Sequence, residues 1–134
     1  MNNAWVIGAG LAGCEAAWAL ATAGIHVTLY EMKPQKYSPA HKSPNFAELV
    51  CSNSFKATRH ISAAGILKEE MRLLGSVCLA CADQAAVSAG GALAVDRDRF
   101  SQLVTEQVRN NPRITVVEGE VTRIPEDPGI IASG

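Results

Sequence analysis

Residues 5–31, WVIGAGLAGCEAAWALATAGIHVTLYE, hold a strand, a glycine-rich turn, a helix, a second strand and a terminal acid in the order a dinucleotide site requires. Trp5, Val6 and Ile7 form the first apolar run, and Gly8, Gly10 and Gly13 follow with G-x-G-x-x-G spacing. Each glycine has a separate mechanical job. Gly8 allows the tight turn, Gly10 has no Cβ to hold the backbone away from a pyrophosphate, and Gly13 lets the helix pack closely on the sheet. The pyrophosphate then rests on free N–H groups at the helix start, around Ala9, Leu11 and Ala12. An exposed helix dipole contributes only about 0.3–1 kcal/mol there, so it assists binding without carrying it alone.

Leu11 to Ala23 is rich in good helix formers, and Gly24 stands where a terminating glycine is expected. Val27 and Leu29 alternate with His26, Thr28 and Tyr30 in a second strand that ends at Glu31. A carboxylate at that tip is placed to accept ribose hydroxyls and to repel a ribose phosphate, which favours FAD or NAD over NADP.

The chain has 134 residues, 48% of them hydrophobic, and a formal net charge of −1. That suffices for one core and one domain, 1–134, and gives the whole molecule no general attraction for nucleic acid. The opening residues lack a signal peptide, and Glu15 interrupts the first apolar stretch far short of a membrane span, so the sequence predicts a soluble cytoplasmic protein. Between Lys33 and His60, five basic residues (Lys33, Lys36, Lys42, Lys56, Arg59) face one acid, Glu48. By composition alone such a run reads as a solvated loop.

Further along, residues 32–44 carry three prolines and read as a loop. Phe46, Leu49 and Val50 predict a short helix before the polar turn Cys51-Ser52-Asn53-Ser54. Ala63 to about Ala82 predicts a long helix, bent near Gly75, with Ile66, Leu67, Met71, Leu74, Val77, Cys78 and Cys81 inward and Lys68 outward. Ala92–Val95 reads as a buried strand, Arg97–Asn110 as an amphipathic helix, and Ile114–Val117 and Glu120–Ile124 as strands around Gly119. Gly129 to Gly134 predicts another parallel strand entering a turn, which suggests the amino-terminal piece of a longer protein. The predicted fold class is therefore α/β: a Rossmann-like domain with a parallel sheet and flanking helices, incomplete at its C-terminus.

Cys78 and Cys81 make a C-x-x-C on the inner face of a predicted helix, with no second pair to complete a metal site, so they read as core residues, as does Cys14. Cys51 is different, because it ends an amphipathic stretch in a polar turn where backbone N–H groups favour a thiolate. From spacing alone it is a candidate nucleophile or an ordinary surface thiol. His41 reads either as a cofactor contact or as an exposed loop residue.

The segments VIGAGLAGCEAAWALA, LYEMKP, SPAH, FAELVCSNSFKA, LKEEMRLLGS and AGGALAVDRDRFS together resemble the amino-terminal part of the folate- and FAD-dependent tRNA uracil C5-methyltransferases, the TrmFO family. The wobble-modifying MnmG (GidA) relatives share AGCEAA but differ in their loops. The resemblance implies FAD on Gly8–Gly13, Glu31 on the ribose, and the strand pair near Val121 close to the adenine. It also implies methylenetetrahydrofolate and NAD(P)H as substrates, tRNA as partner and Cys51 as an active-site thiol, with the basic stretch from Lys33 to Arg59 as a tRNA contact. Other readings are a wobble-uridine enzyme, a general FAD oxidoreductase, or a non-catalytic dinucleotide-binding module. Oligomeric state is not legible in the sequence.

Overall fold

The computed structural model describes residues 2–134. In chain order its elements are β1 (Asn3–Ile7), α1 (Leu11–Thr22), β2 (His26–Glu31), β3 (Ser54–Ala57), α2 (Ala63–Leu73), α3 (Val77–Gln84), β4 (Ala86–Val87), β5 (Ala92–Val95), α4 (Arg97–Asn110), β6 (Ile114–Glu118) and β7 (Gly129–Ile131). β1 buries Ala4, Trp5 and Val6 in succession, as a central parallel strand covered on both faces does, while β2 buries alternate residues. The strands form a four-stranded parallel sheet in the order β6-β2-β1-β7, with Val6 opposite both Leu29 and Ile130.

Small residues let α1 sit close to this sheet, with Gly13, Cys14, Ala17 and Ala21 all buried. α4 adds Phe100, Val104 and Val108 to the same core, and its start is capped by Asp96, whose carboxylate accepts from the Arg99 amide at 3.0 Å. Fully buried aliphatic residues such as Leu29 and Val6 each contribute on the order of 1.5–3 kcal/mol by leaving water. A second sheet, antiparallel in the order β3-β5-β4, flanks α3.

The fold class, the strand–turn–helix–strand unit, β5, α4 and β7 match expectation; three local readings do not. Residues 46–50 form no helix. The Phe46 amide donates to Thr105 Oγ1 and the Ala47 amide to Ala9 O, so these N–H groups serve tertiary partners in place of carbonyls one turn back, and Ala47 adopts a φ of 50°. Residues 63–82 form two helices, because Gly75 has a φ of 81° and Ser76 starts α3 as a new cap, accepting from the Leu79 amide. The inner face of α2 is only partly the apolar one: Met71 packs against the core as expected, but Leu67 is 56% exposed and Leu74, the C-cap residue, 87%, whereas Lys68 is buried. Close approach seats this helix, since a Cβ on Gly65 would lie 1.9 Å from Arg59 O. The buried Lys68 ammonium donates to Ala64 O, and burial together with Arg72 and Lys56 lowers its pKa.

Glu120–Ile124 is the third difference. Among the described residues no strand pair forms near Val121: the chain bends at Gly119, whose amide donates to Glu31 O at 2.8 Å, and Pro125 and Pro128 follow.

Candidate dinucleotide site

The carboxyl ends of β1, β2 and β7 open on a cleft of about 390 Å³. Its walls are the glycine loop Gly8–Ala12, the β2 tip from Tyr30 to Lys33, His41 and Glu48 of the following loop, residues 119–121, and the turn after β7. A crevice at this end of an open parallel sheet is where α/β folds take ligands.

The three glycines have different reasons to be glycine. A Cβ on Gly13 would stand 1.7 Å from Gly8 O, and one on Gly8 would stand 2.4 Å from Ala132 O, so both are required by the packing of loop, helix and β7 turn. At Gly10 an added Cβ would meet nothing within 4 Å, and its φ of −75° is open to any residue. The fold itself makes no demand for glycine at position 10. That residue is also the N-cap of α1, and no side chain caps the helix, so the first-turn amides face the cleft end without an intrahelical partner.

Glu31 is 7% exposed, with Oε2 accepting from the Ala9 amide at 2.8 Å and Oε1 from the Lys33 amide at 2.9 Å. Each carboxylate oxygen has two lone pairs, so both keep one acceptor position. The Ala9 amide, however, is occupied by Glu31 and is not free for a phosphate.

Of the residues singled out in the sequence, Gly8, Ala9, Gly10, Leu11, Ala12, Glu31 and Val121 line one cleft, Val121 from a loop, and Gly13 packs behind it. Cys51 is not part of that lining. It is exposed on the bend before β3, its carbonyl accepting from Arg97 Nη2 at 3.5 Å. The other three thiols are buried. Burial above all, reinforced by Glu31 and Glu15, pushes Cys14 up to about 12, and burial followed by Glu15 and Glu106 pushes Cys81 up to about 11. Cys78 is raised further still, by burial and then by Glu15, whose carboxylate accepts from the Cys78 amide at 2.8 Å and from the Ser76 hydroxyl. Treating the folded protein with Ellman's reagent at pH 8 should therefore release one equivalent rapidly, from Cys51, and the other three only after denaturant is added. Rapid reaction of two or more thiols in the folded state would contradict this burial.

The basic stretch is less basic than its composition. Lys33 is 4% exposed, and its ammonium is held by Ser43 O at 2.9 Å, Asn45 O at 2.6 Å and Glu48 at 3.3 Å, which removes it from any partner surface. Lys36 pairs with Glu120 at 2.8 Å. Lys42, Lys56 and Arg59 make no ion pair among the described residues. Sequence reasoning missed the Lys33–Glu48 clamp because the partners are 15 positions apart in an irregular loop.

A parallel sheet, an uncapped first helix behind a glycine loop and an acid at the next strand tip define a Rossmann-type dinucleotide-binding fold. The chain belongs to the GIDA family, described as glucose inhibited division protein A, whose family model matches residues 3–133. It is 61% identical over 129 residues to "Methylenetetrahydrofolate--tRNA-(uracil-5-)-methyltransferase TrmFO" of Bacillus licheniformis. The proteins of the same name from Bacillus subtilis and Enterococcus faecalis are 60% and 58% identical. Each match covers 96% of this chain and 30% of the relative, so the chain spans under a third of the length of these curated relatives. Among solved structures, p-nitrophenol 4-monooxygenase PnpA from Pseudomonas putida DLL-E4 aligns over 95% of this chain and 35% of its own, with a TM-score of 0.59 and 16% identity. PqsL of P. aeruginosa aligns over 92% of this chain and 36% of its own, with a TM-score of 0.53 and 14% identity. These two likenesses concern the fold alone. No helix among the described residues is long and apolar enough to cross a membrane.

Proposed function

We propose that residues 1–134 form the FAD-binding part of a cytoplasmic tRNA (uracil-C5-)-methyltransferase that takes its one-carbon unit from methylenetetrahydrofolate and its electrons from NAD(P)H. The observation that carries this reading is Gly10, a glycine the fold does not need, in open space before an uncapped helix and beside Glu31. The curated relatives' names supply the folate and the tRNA.

On this reading the first-turn amides of α1 hold the diphosphate, the remaining lone pairs of Glu31 accept the ribose hydroxyls, and Val121 borders the adenine through its backbone. When bound, FAD supplies the two electrons that convert a folate-borne methylene into a methyl group. Cys51 is the active-site thiol: uracil C5 is a poor nucleophile until a group adds to C6, and a thiolate both adds readily and leaves afterwards. Its exposure gives a large substrate access to the sulfur. Lys42, Lys56 and Arg59 are the cations of the stretch left to meet tRNA phosphates.

The test uses the protein at its full encoded length, purified and supplied with labelled methylenetetrahydrofolate, NADPH and tRNA. The expected result is a flavin absorption spectrum and label in the T-loop uridine, with Cys51→Ala keeping the flavin and losing the label. A colourless protein that FAD cannot reconstitute overturns the cofactor reading; a flavoprotein that leaves T-loop uridine unlabelled overturns the methyl transfer. Full activity in Cys51→Ala removes the thiol from the mechanism.

A further inference from the structure

Three carboxylates line the cleft, Glu31, Glu48 and Glu120, and its one lysine, Lys33, has its ammonium consumed by two carbonyls and Glu48. With Glu48 paired to Lys33 and Glu120 to Lys36, a diphosphate entering there meets the carboxylate of Glu31, which has no ion-pair partner among the described residues, and the helix dipole offsets that charge only in part. His41 also lines the cleft, and it is the side chain in that wall with a nitrogen to spare.

Its orientation follows from its neighbours. Ser38 Oγ stands 2.5 Å from His41 Nδ1 and accepts from the Ala40 amide at 3.3 Å. Ser38 Oγ keeps its own hydrogen when it accepts from the Ala40 amide, and when that hydroxyl donates to Nδ1 the neutral ring carries its proton on Nε2. Nε2 has no partner among the described residues. The backbone beside it is fixed too: the Lys42 and Ser43 amides donate to Glu48 at 3.0 and 3.1 Å, and the Ala47 amide donates to Ala9 O at 2.9 Å, hooking this loop to the glycine loop. His41, the glycine loop and residues 119–121 all line this one cleft.

We propose that His41 is a binding residue that donates from Nε2 to the diphosphate of the bound dinucleotide, with Ser38 as the residue that positions its ring. This rests on the dinucleotide reading above.

The test compares FAD, ADP and adenosine on the full-length protein and its variants, by fluorescence titration for FAD and ligand-observed NMR for the other two. His41→Ala is expected to weaken FAD and ADP about 10- to 100-fold, the range of a charge-assisted hydrogen bond, and to leave adenosine unchanged. His41→Gln, whose amide N–H reaches about as far as Nε2, is expected to recover most of the loss, and Ser38→Ala to show a smaller loss at an unchanged melting temperature. If the unmodified protein binds neither FAD nor ADP, the dinucleotide reading itself fails. If it binds both and His41→Ala binds them equally well, this proposal alone is overturned. Equal losses for adenosine and ADP, or a Gln variant as weak as Ala, overturn it as well, by showing that packing and not donation to phosphate is involved.

Discussion

Replacing Gly10 with Val is expected to weaken dinucleotide binding at least ~100-fold and to leave the thermal unfolding of the protein unlowered. The two halves of that result have separate causes. On the folded side, Gly10 has a φ of −75° and a ψ of −169°, extended backbone that valine adopts readily, and the new Cβ meets nothing within 4 Å. Removing a glycine from the unfolded chain contributes roughly 0.4–1 kcal/mol of stability where the native backbone tolerates the change. On the ligand side, an isopropyl group at the N-cap of α1 lies between a diphosphate and the first-turn amides. Losing even one charge-assisted hydrogen bond costs about 1.5–3 kcal/mol, and displacing the anion loses more than one. Gly13→Ala is the contrast, because its Cβ would meet Gly8 O at 1.7 Å and the helix must shift off the loop. That variant should lose binding and melting temperature together. Fluorescence titration of FAD and differential scanning calorimetry on both variants separate the cases. Undiminished affinity in Gly10→Val would mean that no ligand passes in front of α1.

The difference between Gly10 and Gly13 was legible in the sequence because the G-x-G-x-x-G spacing carries a mechanism, and the same holds for α1, β2 and Glu31. Periodicity also placed α4, whose apolar residues do face the core. It failed in part for α2, where the seat is decided by the backbone approach at Gly65, a contact with no hydropathy signature, so Lys68 went inward and Leu67 and Leu74 outward. It failed again at Phe46, which is fully buried as its apolar character suggests, but in an irregular segment whose amides bond to Thr105 and Ala9. Long-range bonds of this kind, one to a side-chain hydroxyl and one to a backbone carbonyl, leave no local pattern. Charge counting misled for the same reason: Lys33 looks like one of five loop cations, and only its distance to Glu48 shows that it is neutralised and buried. In the candidate site, the glycine loop, Glu31 and Val121 converge, while Cys51 stands apart on the surface. A motif fixes a residue's chemistry better than its place.

The Lys33–Glu48 clamp leads to the other large expected effect: Glu48→Ala should destabilise the protein by about 3–5 kcal/mol, the usual cost of leaving one member of a buried ion pair without its partner. The side chains are 5% and 15% exposed, so water screens the pair little. Without the carboxylate, the Lys33 ammonium keeps only Ser43 O and Asn45 O, and the Lys42 and Ser43 amides lose their acceptor. The pair also has a pH signature. Burial by itself raises the pKa of Glu48, but the amides of Lys42 and Ser43 and the ammonium of Lys33 outweigh it and hold the carboxyl below its ordinary value of 4.5. A carboxyl depressed in the folded state contributes stability above its unfolded pKa and loses that contribution as pH falls through the folded value. Denaturant melts of the unmodified protein and of Glu48→Gln should therefore differ most at pH 5 and above and converge as the pH is lowered from about 4.5 toward 3. Lys33→Met combined with Glu48→Leu should recover part of the loss, because a buried pair replaced by apolar side chains costs far less than a pair broken on one side. A Glu48→Gln difference that stays constant from pH 7 to pH 3 would show that shape and neutral hydrogen bonds, not the ionised carboxylate, keep residues 41–48 folded against the cleft.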